Sequence, residues 1–172
     1  GSNIRSIYGF MDNIPYYEAN AEGKKVVVIG CGAVGLDVME FFTLRKAEIT
    51  MIEMMPSFGK DADIVSKSTF KELLEKHPVD MHLSTALEKV CPDKFIASHN
   101  GESAEYPFDY GFICMGLVPD IPADNPFETY AKEQGIPFCN FGNSRKTGQI
   151  IHGTELGRDI VATIDMIGGF DD

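Results

Sequence analysis

The sequence predicts an α/β fold, a Rossmann-like parallel sheet flanked by helices, with a three-stranded antiparallel meander set into it. Three stretches carry that expectation. Val26-Val27-Val28-Ile29 is a run of four β-branched residues, the pattern of a strand buried on both faces. Gly30-Cys31-Gly32-Ala33-Val34-Gly35 follows at once, and Val34, Val38, Phe41 and Phe42 then recur at helical spacing. Residues 49–52 form a second apolar strand ending on Glu53, so residues 24–53 read as one βαβ unit with a glycine fingerprint at its turn.

Each glycine has a physical task in this reading. Gly30 lets the chain leave the strand in a tight turn. Gly32 removes a side chain where a pyrophosphate must approach the backbone, and Gly35 lets the helix lie close on the strand. The free N–H groups at the helix start, with the helix dipole, favour phosphate charge. Glu53 stands where a carboxylate can accept hydrogen bonds from a ribose. Other phosphate loops fit badly: no G-K-[ST] follows the glycines, and Gly59-Lys60-Asp61 lacks the hydroxyl.

Charge and composition narrow the function classes. With 15 Lys+Arg against 26 Asp+Glu, the formal net charge is −11, which argues against nucleic acid or an anionic membrane as partner. The sequence contains no stretch that approaches a membrane span and no visible signal peptide. The 172 residues, 44% hydrophobic and 24% charged, suffice for one globular domain with a core, or one and a piece. Cys31, Cys91, Cys114 and Cys139 form no C-x-x-C, so neither a metal site nor a redox disulfide is expected. Cys31 and Cys114 read as small core residues, and free thiols fit a reducing cytoplasm. Gly1-Ser2 in place of an initiating Met reads as a cloning remnant, which predicts a piece of a longer protein.

In chain order, residues 3–23 contain Gly9 and Pro15 with little periodicity and read as an extended lead-in. After Glu53, a loop over 54–60 leads to a helix that starts near Asp61 or Asp63, carries Phe70, Leu73 and Leu74, and stops before His77-Pro78. Residues 79–83 are a short third strand, where His82 reads as a surface residue rather than a catalyst. Residues 87–91, 94–98 and 103–106 read as the meander, with Asn100-Gly101 as a hairpin signal. Residues 110–116 form a further buried strand, which ends in glycine before Val118-Pro119.

This order and its motifs resemble the NAD(P)H-binding domain of the flavoprotein oxidoreductases with two dinucleotide-binding domains, the pyridine nucleotide-disulphide oxidoreductase-like group. The resemblance rests on residues 26–37, where Asp37 stands in place of the group's Glu after Gly35-Leu36, and on Ile52-Glu53-Met54-Met55-Pro56. It extends to Met115-Gly116-x-x-Pro119-Asp120 and, upstream, to Tyr8-Gly9-Phe10-Met11-Asp12-Asn13. Phe138-Cys139-Asn140-Phe141-Gly142-Asn143-Ser144 is similar to the group's strand-plus-Gly-Asp element that touches FAD. A helix follows with Leu156, Ile160 and Ile164 on one stripe. Together these are similar to the C-terminal portion of enzymes with an N-terminal flavin barrel, such as 2,4-dienoyl-CoA reductase-like and NADH:flavin oxidoreductase-like proteins.

The resemblance implies a lead-in over 1–23, an NAD-binding core over 24–118, and a segment over 119–172 like the end of an FAD domain. It implies that Gly30, Gly32 and Gly35 hold the pyrophosphate of NAD and Glu53 the adenosine ribose, that Cys31, Ala33, Val34 and Met54 also belong to the cofactor site, and that Gly116 lets the backbone approach the dinucleotide. Asp37 would lie toward the nicotinamide. FAD is implied for an intact enzyme, held by a flavin domain of the same or another chain, but Asn143 departs from the group's Asp. The sequence offers no Ser-His-Asp or Cys-His pair, so no catalytic residue is assigned. The expected function is therefore the NAD(H)-binding part of a flavin-dependent oxidoreductase. The alternatives are a non-catalytic NAD-sensing module and an S-adenosylmethionine-dependent methyl transferase, against which the meander and the Gly-x-x-Pro segment argue.

Overall fold

Val26 and Val28 point to one side of the central sheet, Val27 and Ile29 to the other, and both sides are covered. The computed structural model describes residues 3–60, 62–120, 124–148 and 150–166. By contact, the chain divides into two units, Gly1–Gly116 and Leu117–Asp172. In the first unit, β1 (Ile4–Ser6), β2 (Lys25–Ile29), β3 (Glu48–Ile52), β4 (Val79–His82) and β8 (Tyr110–Ile113) pair in parallel in the order β1-β8-β2-β3-β4. A separate antiparallel sheet, β5 (Thr85–Val90), β6 (Lys94–His99) and β7 (Glu102–Pro107), is the predicted meander. Its β6–β7 turn uses Asn100 at φ 52° and Gly101 at φ 86°, two positive values of the kind an Asn-Gly hairpin turn requires. The α/β class read from the sequence is the observed one.

The described residues of this unit form the helices α1 (Ile7–Met11), α2 (Ile14–Asn20), α3 (Ala33–Thr43) and α4 (Ile64–Lys76). Val26, Val28, Met51 and Phe112 pack with Leu36, Val38, Met39 and Phe42 of α3 in one core. Val27, Ile29 and Ile52 pack with Phe95, Ala97 and Phe108 in a second core under the meander. Each fully buried side chain of this size contributes about 1.5–3 kcal/mol, so both faces of β2 help to hold the turn at its end. Asp63 caps α4, accepting the N–H groups of Val65 and Ser66; the alternative start at Asp61 lies outside the described residues.

The lead-in is extended over Ile4–Ser6 and then turns helical. β1 pairs with β8 at the sheet edge, Ser6 caps α1, and Pro15 occupies the first turn of α2. The cause is burial: Phe10 and Tyr17 insert their rings among Phe42, Tyr110 and Phe112. Phe10, Ile14 and Tyr17 stand at i, i+4 and i+7, a helical signal that the break at Asp12-Asn13 conceals.

The second unit contains α5 (Pro126–Gln134), a 3-10 turn at Gly142–Ser144, and α6 (Ile150–Met166). Asn125 caps α5, and Gly135 ends it at φ 66°. On α6, Leu156, Ile160 and Ile164 are half-buried on one stripe, as predicted. The strand expected before Gly142 does not form: among its described residues the unit has no strand for that segment to pair with, and Phe138 and Phe141 are exposed. Among the described residues of the chain, no helix is long and apolar enough to cross a membrane.

Candidate functional site

The sheet order reverses between β8 and β2, and there the strand ends open a crevice of the kind in which open α/β sheets bind ligands. Gly30 ends β2 at φ 99°, and a Cβ on it would strike the Cys114 carbonyl. The Cys114 N–H donates to the Ile29 carbonyl at 2.7 Å, which carries the β2–β8 ladder up to this turn. A Cβ on Gly35 would strike the Gly30 carbonyl, so α3 lies directly on the turn. Gly30 and Gly35 are thus required by the fold itself. Gly32 differs: at φ −72° and ψ −178° its backbone is extended, and it precedes α3 with no side chain capping the helix. No acid stands in the first turn of α3, and Gly32, Ala33 and Val34, at its N-terminus and the positive end of the helix dipole, line the crevice.

Glu53 lies against the glycine turn, next to this helix start. Its Oε2 accepts the Cys31 N–H at 2.7 Å, and its Oε1 accepts the Met55 N–H at 2.8 Å. Its backbone is pinned too: the Glu53 N–H donates to the His82 carbonyl, and the Thr85 N–H to the Glu53 carbonyl, both at 2.9 Å. The loop beyond it is tied down by Ser84 N–H to the Met55 carbonyl at 3.0 Å and Gly59 N–H to the Cys31 carbonyl at 2.6 Å.

The cleft so formed encloses about 400 Å³, within the range of small-molecule sites. Of the residues predicted to hold a dinucleotide, it brings together Gly30, Cys31, Gly32, Ala33, Val34, Glu53, Met54 and Gly116. Gly35 supports the turn from beneath. Asp37 does not line the cleft; it lies one helical turn beyond Ala33, on the exposed surface. Partial burial, then the neighbouring Glu40, raise its carboxyl above the ordinary value. Burial pushes the Cys31 thiol up to about 12, with Glu53 and Cys114 adding to it, and pushes the Cys114 thiol up to about 11. Both are protonated core thiols at neutral pH. His82 lies in a second, wider groove with Asp80, whose carboxylate is 2.9 Å from His82 Nε2, and its ring meets Tyr106 edge-on.

The cleft wall also contains Ser57, Lys60, Thr85, Ala86 and Leu87, none of which is among the residues the sequence assigns to the site. The last three open the meander, and no local pattern signals that its first strand folds back over the tip of β3. Gly59 was the available signal for the loop, because a glycine there allows the chain to turn back against Cys31.

The sequence profile of the family described as pyridine nucleotide-disulphide oxidoreductase matches residues 8–138. The NADH oxidase of Methanocaldococcus jannaschii is 26% identical over 170 residues, which cover 96% of this chain and 36% of that protein. The dihydrolipoyl dehydrogenase of Zymomonas mobilis is 24% identical over 103 residues, 57% of this chain and 22% of that protein. The chain therefore spans about a third or less of the length of these relatives. Among solved structures, histamine dehydrogenase from Rhizobium superposes with a TM-score of 0.72 at 15% identity, covering 91% of this chain and 25% of that one, a likeness of fold. The matched profile covers both the glycine turn and the crevice it builds, and on that ground the chain belongs to the pyridine nucleotide-disulphide oxidoreductase family.

Proposed function

We propose that the chain is the NAD(H)-binding domain of a flavin-dependent oxidoreductase. The observation that supports this most directly is the uncapped N-terminus of α3 at the glycine turn, facing a carboxylate fixed at the tip of β3. The residues fit the group: Gly32, Ala33 and Val34 offer backbone N–H groups to a pyrophosphate, and Glu53 offers its remaining lone pairs to ribose hydroxyls. The space in front of Gly116 holds no atom within 4 Å of where a Cβ would stand. When bound, the nicotinamide supplies the hydride. The chain's own residues bind and orient the dinucleotide and exclude water.

FAD does not fit the residues present. The sequence carries one glycine fingerprint, which the cleft above uses. Asn143, in place of the expected Asp, accepts the Gly148 N–H at 3.2 Å through Oδ1, and so serves the chain's own backbone. The flavin of this reading belongs to another domain, of the same chain or another. The same observation favours a second reading, a module that senses NAD(H) without turnover. Calorimetric titration with NADH, ADP-ribose and S-adenosylmethionine tests the first reading: the first two bind and the third does not. Binding of S-adenosylmethionine alone overturns it. Turnover of bound NADH on adding a free flavin acceptor separates the oxidoreductase domain from the sensor.

A further inference from the structure

We propose that Lys60 is the cation that holds the pyrophosphate of the bound dinucleotide, an assignment that rests on the dinucleotide reading above. Among the described residues that line the cleft, Lys60 carries the one positive charge and Glu53 the one negative. A dinucleotide brings two phosphate charges to a chain whose net charge is already −11. The α3 dipole contributes only about half an elementary charge against them, so a cation at the mouth has work that the helix start leaves undone.

The backbone brings Lys60 close to the glycine turn, where the reading above puts the pyrophosphate. Gly59 is buried, and its N–H donates to the carbonyl of Cys31, inside the glycine turn, at 2.6 Å. A Cβ on Gly59 would stand 3.5 Å from Leu36 Cδ1, on the first turns of α3. The Ala62 N–H closes back on the Gly59 carbonyl at 3.1 Å. Lys60 therefore leaves the chain next to a residue tied to the glycine turn, on a wall of the same cleft. Lys24, Lys46, Lys76 and Lys94 each pair with a carboxylate, whereas Lys60 makes no ion pair with any described residue. A flexible stem carrying a point charge suits a phosphate group that arrives with the ligand.

The test compares the parent with Lys60→Met, Lys60→Arg and, as a control on the exposed face of α4, Lys71→Met. Each is titrated with NADH, ADP-ribose, NADPH and adenosine at low and moderate salt. Because the side chain is exposed, screening limits the effect, and Lys60→Met should weaken NADH and ADP-ribose about three- to tenfold. It should flatten their salt dependence and leave adenosine, which has no phosphate, unchanged. Lys60→Arg should retain parental affinity, and so should Lys71→Met. Parental NADH affinity in Lys60→Met overturns the assignment. Loss confined to NADPH also overturns it, by moving the cation to the ribose 2′-phosphate. If the parent itself binds no dinucleotide, the dinucleotide reading fails, and the assignment with it.

Discussion

The Cys31 backbone N–H donates to Glu53 Oε2 at 2.7 Å, across the mouth of the glycine turn. With the Met55 N–H on Oε1 at 2.8 Å, this bond fixes the carboxylate's orientation and uses two of its roughly four acceptor sites. In the proposed reading the remaining sites would accept hydrogen bonds from free ribose hydroxyls, whereas a 2′-phosphate would meet a like charge held in place. NADH should bind more tightly than NADPH by about 1.5–3 kcal/mol, the scale of charged hydrogen bonds, or roughly tenfold to a hundredfold. Calorimetry with both nucleotides at moderate salt measures this. Equal affinities would show that a cation reaches the ribose and that Glu53 serves the loop alone.

Gly32→Val should abolish dinucleotide binding and leave the fold intact. The backbone at Gly32 is extended, a conformation that valine adopts readily, and in the proposed reading the new side chain would stand where a pyrophosphate approaches the backbone. Gly30→Val and Gly35→Val provide the contrast, since a Cβ at either strikes a backbone carbonyl, and both should lower the unfolding midpoint. Circular dichroism and urea melts separate the two classes. NADH binding by Gly32→Val at parental strength would place the phosphate site elsewhere.

How much of this was legible in the sequence depended on how local the determining contacts are. The glycine turn, the strand buried on both faces and the Asn100-Gly101 hairpin are set by neighbouring residues, and each was readable as a pattern. Phe10 and Tyr17 were not, because their helical spacing is broken at Asp12-Asn13 and their partners, Phe42 and Phe112, come from remote strands and helices. Thr85, Ala86 and Leu87 reach the cleft only through the path of the meander. Asp37 was placed by analogy of motif, and the helix geometry carries it past the cleft. The strand before Gly142 failed for a related reason, since a strand needs an edge to join and this unit's described residues offer none.

The protein should not hold FAD on its own. Asn143 is engaged with Gly148, and the single glycine fingerprint is committed to the cleft described above. Adding FAD to nucleotide-free protein and following flavin fluorescence should show no stoichiometric quenching. Tight quenching would mean that the second unit builds a flavin pocket from residues other than Asn143.

Cys31 and Cys114 should resist alkylation in the folded protein, and their burial should make stability fall at alkaline pH. Cys31 is 1% exposed and Cys114 7% exposed, and burial first, then the Glu53 charge beside Cys31, hold their thiols at about 12 and about 11. An unfolded cysteine ionises near about 8.5. Between these values the unfolded chain has lost the thiol protons and the folded chain keeps them, so the folded state binds more protons and stability declines as pH rises. The decline starts near the unfolded value and continues toward 11 and 12. Tyr17, Tyr106 and Tyr110, raised in the same direction mainly by burial, add to it at the upper end. A Cys31→Ala, Cys114→Ala double variant isolates the thiols: its urea midpoint should fall less steeply with pH than the parent's. Iodoacetamide with mass spectrometry gives the second readout, in which the exposed Cys139 reacts in the native protein and Cys31 and Cys114 react only after denaturation. Native alkylation of Cys31 at the rate of Cys139, or identical pH slopes for parent and variant, would show that the glycine turn opens to solvent and that these thiols are not part of a closed core.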